Sequence, residues 1–203
     1  MLGFIPYMTS ISVSDFLEFL TPLKAQDFKT DKVDRFLQRR WFQEDSFLPF
    51  IHFRDDTYGR NLVFRNNFFE LAILTWLPGH RTPIHDHGNQ RCWMMVESGE
   101  LTFKNYEFPS SDTAKLKPLG RAEAINKGTK VYIDDDLGVH SITNATQKPA
   151  VSVHLYAAPV NSCRVYNEAT KRFERKLLSY LTEGVWSPEG ELIESRLCAP
   201  LLF

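Results

Sequence analysis

Two histidines one residue apart, His85 and His87, have the types and spacing in this sequence that most directly suggest chemistry. On an α-helix the two side chains would point about 200° apart around the axis, but on a β-strand the two-residue period directs both to one side. A histidine pair on a strand is half of a metal site, because neutral imidazole is a common metal ligand. For the His-x-His pattern alone, two unrelated surface or core histidines remain the simpler interpretation.

The sequence around the pair favours a metal site. Gly79 precedes it, Gly88 can turn the chain after it, and further histidines follow at His140 and His154. The chain has only six histidines, so a site built from these residues would use a large share of the total. Asp86, between the two candidate ligands, would point to the opposite face of a strand, and we do not expect it to bind the metal.

The composition limits the classes of protein and site. A chain of 203 residues that is 43% hydrophobic can bury a sizeable core, and its length suits one domain. Its net charge of -1 provides no basic field for phosphate backbones, so we expect no nucleic-acid partner. No apolar run approaches the ~20 residues of a membrane span, and the first nine residues do not resemble a signal peptide. We therefore expect a soluble, cytoplasmic protein with no membrane partner.

The cysteines argue against two other kinds of site. There are three, an odd number, far apart and without a Cys-x-x-Cys pair: Cys92, Cys163 and Cys198. This usage fits neither a disulfide framework nor a cysteine-rich zinc site. Histidine is therefore left as the main type of metal ligand.

Two amphipathic helices are predicted near the N-terminus, at 12–23 and at 31–40. In the first, Val13, Phe16 and Leu20 recur at helical spacing behind a possible N-cap at Ser12. In the second, apolar residues form one stripe and lysine and arginine occupy the other faces. Neither helix carries a cluster of reactive groups, so we interpret both as a cover packed on the outside of the structure that follows.

From residue 58 onward, short alternating runs separated by Gly, Pro, Asn and Asp predict an all-β sandwich or barrel. The candidate strands are 60–65, 69–76, 82–87, 91–97, 101–107, 129–133, 139–144 and 150–156. Residues 109–118 are predicted to form a loop, and the three aspartates at 134–136 an exposed acidic turn rather than a calcium site. We expect a single domain, 1–203, in which 1–57 is the helical cover, 58–160 the barrel core and 161–203 a C-terminal extension.

Two further groups of polar residues share strand faces. Ser152, His154 and Tyr156 alternate with apolar residues, and they form either a solvent-exposed face or a hydrogen-bond relay that points into a barrel. Tyr58 and Arg60 are two residues apart in an extended segment. Arg60 is either a surface cation or, if directed inward, a group that can hold a substrate carboxylate.

Two partial motifs occur in the order that is typical of the cupin superfamily. The first reads Gly79-x5-His85-x-His87-x4-Cys92-x6-Gly99, and the second ends His140-x3-Asn144. The chain resembles cupins in these motifs, although cupins usually have Glu where this chain has Cys92. The resemblance implies a mainly β fold, a double-sheet jelly-roll β-barrel whose mouth is lined by the three histidines. Three neutral imidazoles leave a divalent cation with its full charge, which suits anions such as a thiolate, although the same set would also hold zinc.

Several dispersed motifs between 58 and 163 carry a closer resemblance. They are Tyr58-Gly-Arg-Asn-Leu-Val63, Gly79-His80, Ile84-His-Asp-His87, Cys92, His140 and Ser152-Val-His-Leu-Tyr156. In these the chain resembles the cysteine dioxygenases, which are mononuclear non-haem iron enzymes of the cupin fold. The resemblance implies the following site: His85, His87 and His140 bind one Fe(II), Arg60 holds the substrate carboxylate, Tyr58 shapes its pocket, and Tyr156 lies beside the oxygen site, supported by His154 and Ser152.

The resemblance also implies a reaction, the oxidation of L-cysteine by O2 to cysteine sulfinic acid, and we expect a monomer. In animal members a cysteine at the place of Cys92 forms a thioether with the active-site tyrosine, so a partial crosslink from Cys92 to Tyr156 is expected here; the alternative is a free buried thiol. Two other functions stay open. One is dioxygenation of another thiol such as 3-mercaptopropionate, although Gln commonly replaces the arginine in that subgroup. The other is a cupin that binds a metal or ligand without turnover.

Overall fold

The computed structural model describes residues 9–108, 116–187 and 190–198, and these residues are mainly β. The helices are α1 (Val13–Leu20) and α2 (Lys32–Leu37), with single 3-10 turns at Asp27–Lys29, Leu48–Phe50 and Asp135–Leu137. The strands are β1 (Thr9–Ile11), β2 (Arg40–Phe42), β3 (Gly59–Arg65), β4 (Glu70–Trp76), β5 (Arg91–Ser98), β6 (Glu100–Tyr106), β7 (Pro118–Asn126), β8 (Lys130–Ile133), β9 (Val139–Thr143), β10 (Ala150–Ala157), β11 (Ser162–Asn167), β12 (Arg172–Leu177), β13 (Thr182–Trp186) and β14 (Leu192–Leu197).

Two sheets carry most of these strands. The larger has the order β14-β13-β3-β4-β10-β5-β8, and the smaller has the order β7-β6-β9. Strand β10 lies antiparallel between β4 and β5, and Tyr156 is in register with Glu70 on one side and Cys92 on the other. Because side chains alternate along a strand, each strand of the larger sheet contributes to two separate faces.

The inner face of the larger sheet packs against the smaller sheet. Its buried cluster combines residues from both sheets, including Leu74, Trp76, Met94, Phe103 and Ile142. Cys92 and Tyr156 also belong to this inner cluster. The thiol of Cys92 and the phenol of Tyr156 therefore lie between the two sheets.

The outer face of the larger sheet packs against the N-terminal helices. Its cluster joins Phe16 and Leu20 of α1 with residues such as Ile73 and Val153 on the outward side of β4 and β10. Helix α1 begins at a capping box in which the Ser12 hydroxyl accepts from the Asp15 N–H and the Asp15 carboxylate accepts from Ser12 N–H. The expectation of a mainly β, double-sheet fold with helices packed on the outside is confirmed.

Several predicted elements differ from the observed ones. The segment 82–87 is not a ladder strand: His85 makes only isolated bridges, to His140 and Val165. Both helices are shorter than predicted. Of the predicted loop at 109–118, residues 109–115 lie outside the described residues, and Pro118 already begins β7, a strand that was not predicted.

Among the described residues, none of the helices has the length and apolar character needed to cross a membrane.

The chain after β10 contributes to the sheets in two ways. Strands β11 and β12 form an antiparallel hairpin, and β13 and β14 add to the edge of the larger sheet beside β3. The hairpin bears on the site because residues from both of its strands line the cavity described below. The division of the chain at 57 and 160 stays a prediction.

Candidate metal centre and cavity

Three histidines converge in the space between the two sheets. The nitrogen atoms with which His85, His87 and His140 could bind a metal ion all lie within 4.8 Å of one another. His87 and His140 are 3% and 2% exposed, and His85 is half-buried. Their ring centroids are separated by 4.4 Å for His85 and His140, 4.9 Å for His87 and His140, and 5.5 Å for His85 and His87. Three imidazoles arranged in this way can hold one ion.

Backbone pairing places His85 opposite His140. The His85 N–H donates to the His140 oxygen at 3.0 Å, and the His140 N–H donates back to the His85 oxygen at 3.1 Å. Opposite residues of an antiparallel pair project their side chains to the same face. This single reciprocal pair does what the predicted strand was expected to do, since it brings one residue of the His-x-His segment onto the face of β9.

The backbone of His87 is held by Asp135. The His87 N–H donates to Asp135 Oδ1 at 2.8 Å, and the Asn89 N–H donates to Oδ2 at 2.5 Å. Asp135 is 8% exposed, so the prediction of an exposed acidic turn is wrong for this residue, although its neighbour Asp136 is exposed. The physical reason is that the turn after His87 leaves backbone N–H groups unpaired, and a buried carboxylate can satisfy two of them.

Asp86 uses its carboxylate for a different contact. Its Oδ2 accepts from Arg164 Nε at 2.7 Å, and its Oδ1 accepts from the Arg164 backbone N–H at 2.8 Å. Asp86 is 3% exposed and lies outside the cluster of possible metal ligands. Its contacts tie the His-x-His segment to β11.

The histidines are neutral at neutral pH. Burial lowers the pKa of His85 to about 4, and burial together with the neighbouring histidines lowers the pKa values of His87 and His140 well below the ordinary range. His85 Nδ1 lies 3.0 Å from the Pro83 oxygen, so this nitrogen carries the proton and Nε2 keeps a lone pair. His140 Nε2 and His87 Nδ1 are buried without a hydrogen-bond partner among the described residues. Neutral rings with unpaired nitrogens fit a divalent metal ion.

Ser152, His154 and Tyr156 form a connected relay on β10. Trp76 Nε1 donates to Ser152 Oγ at 3.0 Å, Ser152 Oγ lies 2.9 Å from His154 Nε2, and His154 Nδ1 lies 3.4 Å from the Tyr156 hydroxyl. Of the two interpretations of this face, the relay directed into the barrel is the one observed. When Ser152 donates to Nε2, the neutral His154 ring keeps its proton on Nδ1 and donates toward the phenol oxygen. The phenol O–H then stays free to donate to another group.

Tyr156 and Cys92 are neighbours across two strands. Their Cα atoms are paired in register, so both side chains lie on the inner face, and Cys92 Sγ is 3.8 Å from His154 Nδ1. The Tyr156 ring centroid is 5.4 Å from that of His87. Burial raises the pKa values of the Cys92 thiol and the Tyr156 phenol well above the ordinary range, so both are protonated at neutral pH.

Arg60 and Tyr58 lie in the same cavity. Arg60 is 8% exposed and its Nη2 donates to Glu70 Oε1 at 2.9 Å, so it is not a surface cation. The Tyr58 ring stacks on Trp76 with a centroid distance of 5.0 Å. The cavity lining includes the three histidines, Tyr58, Arg60, His154 and Tyr156, together with Cys163, Lys176 and Leu178 from the β11–β12 hairpin and the segment that follows it. Ser152 and Cys92 stand behind this lining and act on it through His154 and Tyr156.

Sequence reasoning missed three residues next to the site: Glu70, Asp135 and Tyr180. Glu70 is the single charged residue of strand β4, whose other residues are apolar apart from Thr75, and this was a signal available in the sequence. Tyr180 lies with its ring centroid 5.3 Å from Arg60 Cζ, in a region where no pattern pointed to the site. Asp135 could not be distinguished from its two neighbouring aspartates, because its role depends on a contact with a distant turn.

Comparison with known proteins finds a family model, curated relatives and solved structures to which this chain is similar. The family model described as cysteine dioxygenase type I matches residues 11–169. Cysteine dioxygenase type 1 of Danio rerio is 30% identical over 191 residues, which cover 90% of this chain and 92% of the relative. The protein of the same description from Homo sapiens is 26% identical over 184 residues, covering 88% and 91%. A Klebsiella pneumoniae protein with a double-stranded β-helix domain aligns at a TM-score of 0.42 and 20% identity, over 55% of this chain and 85% of that one.

The family match runs from before β3 past the end of β11, whereas Lys176 and Leu178 of the cavity lining lie beyond it. It includes the three convergent histidines, Arg60 and the polar face of β10. The chain therefore belongs to the cysteine dioxygenase type I family.

Proposed function

We propose that this protein is a non-haem iron thiol dioxygenase that oxidises L-cysteine with O2 to cysteine sulfinic acid. Both atoms of O2 are transferred to the sulfur, so that one thiol and one O2 give one sulfinic acid and no other oxidant is needed. The observation that carries the proposal is the convergence of three neutral histidines, a buried arginine and a tyrosine relay on one cavity.

His85, His87 and His140 would hold one Fe(II) per chain. Their neutral nitrogens leave the charge of the ion uncompensated, and three protein ligands leave positions open for a substrate. When bound, the iron supplies the redox chemistry that activates O2 next to the thiol. The burial of two of the three rings limits the water that can compete at this point.

Arg60 would bind the carboxylate of the substrate, with Tyr58 shaping the same part of the cavity. Arginine suits this task because its planar group presents several N–H donors at fixed angles. Arg60 Nε is buried and has no hydrogen-bond partner among the described residues, so a donor is available for a ligand. A carboxylate held there would fix the orientation of the thiol, and positioning of this kind is a large part of catalysis.

Tyr156 would donate a hydrogen bond beside the reacting atoms. The relay from Trp76 through Ser152 and His154 orients the phenol and leaves its O–H free, as described above. A fixed donor in a cavity with little water stabilises developing negative charge without reorganisation. Cys92, beside Tyr156, would form the thioether to the phenol ring in a fraction of the molecules.

Oxygen uptake by Fe(II)-loaded protein with L-cysteine tests the function. We expect about one O2 consumed for each cysteine sulfinic acid formed, with a much lower rate for a His87→Ala variant because one of three metal ligands is lost. The same assay with 3-mercaptopropionate tests the alternative substrate, and faster turnover of that thiol would replace cysteine in the proposal. Zinc in the purified protein together with no oxygen uptake would instead support a cupin that binds without turnover.

A further inference from the structure

Glu70 is a fully buried carboxylate beside the cavity, and the function proposed above gives it no role. It is 0% exposed, and in β4 its Cα is paired with that of Tyr156. Burial of a carboxylate is unfavourable unless its oxygens find partners. Oε1 accepts from Arg60 Nη2 at 2.9 Å, and Oε2 accepts from the Val160 N–H at 3.2 Å. Groups on two sides therefore determine the position of this carboxylate.

Arg60 is constrained by more than this ion pair. Its Cζ lies 5.6 Å from the centroid of the Tyr156 ring and 5.3 Å from that of Tyr180, both within the range of cation–π contact. Its backbone oxygen accepts from the Leu181 N–H at 2.6 Å. The guanidinium is thus held by an anion and two rings, while Nε stays unpaired among the described residues.

The charges of the pair cancel at the edge of the cavity. Arg60 belongs to the cavity lining, whereas Glu70 stands behind it. A neutral pair attracts a carboxylate through directed N–H donors more than through net charge, and the planar fork of arginine matches a carboxylate only in a suitable orientation. The contribution of Arg60 to binding therefore depends on the groups that set the orientation of its guanidinium.

We propose that Glu70 is a positioning residue that orients Arg60 toward the carboxylate of the thiol substrate, so that the preference for thiols bearing a carboxylate depends on this contact. The inference rests on the proposed function, because it takes Arg60 as the partner of the carboxylate. Cysteamine has the thiol and amine of cysteine but no carboxylate. Its binding does not use the guanidinium N–H donors of Arg60 and therefore does not depend on the position of the Glu70 carboxylate.

Two conservative variants separate position from charge. Glu70→Asp keeps the charge but shortens the side chain and withdraws the acceptor from Arg60, whereas Glu70→Gln keeps the length and one oxygen acceptor but removes the charge. Anaerobic calorimetric titration of the metal-loaded variants with L-cysteine and with cysteamine measures binding without turnover. Thermal unfolding and metal content confirm that each variant is folded and loaded.

We expect Glu70→Asp to weaken L-cysteine binding about tenfold, the effect of losing one hydrogen bond to a charged group, and cysteamine binding by less than about twofold. Glu70→Gln should weaken L-cysteine binding by no more than about threefold. Tyr180→Leu, which removes one ring from Arg60, should show the same selective loss as Glu70→Asp.

Equal weakening of both ligands by Glu70→Asp, or no weakening of either, would overturn the inference. A larger loss in Glu70→Gln than in Glu70→Asp would also overturn it, since charge rather than position would then matter. The proposed function is judged separately by oxygen uptake. If Glu70→Asp selectively weakens L-cysteine binding but the wild type consumes no O2, the positioning role is supported and the dioxygenase function is contradicted.

Discussion

At the scale of single residues, the candidate metal centre depends on contacts outside the three histidines. Asp135 is the clearest case, because its two oxygens take the backbone N–H groups of His87 and Asn89. Its neighbour Asp136 is exposed. Groups that orient metal ligands in this way affect metal affinity although they do not touch the ion.

The first prediction is that Asp135→Asn reduces the affinity for iron about tenfold or more, the range observed when partners of metal ligands are removed. In the amide an NH2 donor replaces one of the two carboxylate oxygens, so in the same position it accepts from only one of the two N–H groups and leaves the other buried without a partner. Asp136→Asn is the matched control and should bind iron as the wild type does. Metal titration of both variants checks this, and equal affinities would show that Asp135 does not position His87.

The second prediction concerns Cys92 and Tyr156, whose Cα atoms are paired across β5 and β10. After turnover with iron, L-cysteine and O2, a fraction of the protein should lose two hydrogens in intact-mass spectrometry, because the thioether replaces one S–H and one ring C–H. The peptide map should join the segments that carry these two residues. Cys92→Ala is the control and should show no such loss. Unmodified Cys92 and Tyr156 in every peptide after turnover would remove the idea.

At the scale of elements, the sequence predicted the parts of the fold whose apolar residues recur with the period of a helix or of a strand. Strand β10 and the two helices have clean periodicity, and the apolar residues that the pattern grouped on one face of α1 and of β10 are buried in the structure. The pairing of Ser152, His154 and Tyr156 on one face followed from the same alternation. Register also explains why Cys92 comes to lie beside Tyr156, although no local pattern could show it.

Elements without that periodicity could not be predicted in the same way. Strand β7 is almost entirely exposed, so its sequence has no alternation of buried and exposed positions to reveal it. The segment 82–87 contains a proline at Pro83 and makes isolated bridges instead of a ladder. The contacts of Asp135 with His87 and Asn89, and of Glu70 with Val160, join positions far apart in the chain, so they depend on tertiary structure alone.

The third prediction belongs to the turn that leads into β9, the strand of His140. Gly138 has a φ of 112°, and a Cβ placed there would lie 2.1 Å from the Tyr106 oxygen. Gly120 has a φ of 70° with nothing within 4 Å of such a Cβ. Gly120→Ala should therefore lower the free energy of unfolding by about 1–2 kcal/mol, the cost of a left-handed backbone for a residue with a side chain.

Gly138→Ala should cost about 3 kcal/mol or more, because the clash with Tyr106 is added to backbone strain. It should also weaken metal binding, since β6 and β9 must move apart at the start of β9, next to His140. Denaturant unfolding of the two variants gives the comparison. Equal losses of stability would mean that the strands can accommodate the methyl group without moving.

At the scale of the whole molecule, the two faces of the larger sheet have different roles. Its outer face packs on the helices and its inner face carries the site. The site adds its own cost, since it buries neutral histidines that would be protonated in an unfolded chain at mildly acidic pH. Burial lowers the pKa of His154, which lies near Arg60, Cys92 and Tyr156, to about 3.

The fourth prediction follows from this shift. Because the folded pKa lies below the unfolded value of about 6.5, the unfolded chain binds more protons between these values, and stability falls as pH decreases. The metal-free protein should lose up to about 1.4 kcal/mol of unfolding free energy per pH unit for His154 below pH ~6.5. Denaturation of the wild type and of His154→Gln from pH 7 to 5 tests this. The variant should show a smaller slope, and equal slopes would contradict it.

The reciprocal backbone pair between His85 and His140 has a consequence for folding kinetics. These residues are separated by β5, β6, β7 and β8 in the chain, so the three histidines can come together only after a large loop has closed. Contacts of this sequence separation carry a high entropic cost and slow the folding of β proteins. The ability to bind a metal ion should therefore appear late in refolding, after the local hairpin β11–β12 has formed. An ion added during refolding should bind only those chains in which the two sheets have already packed together.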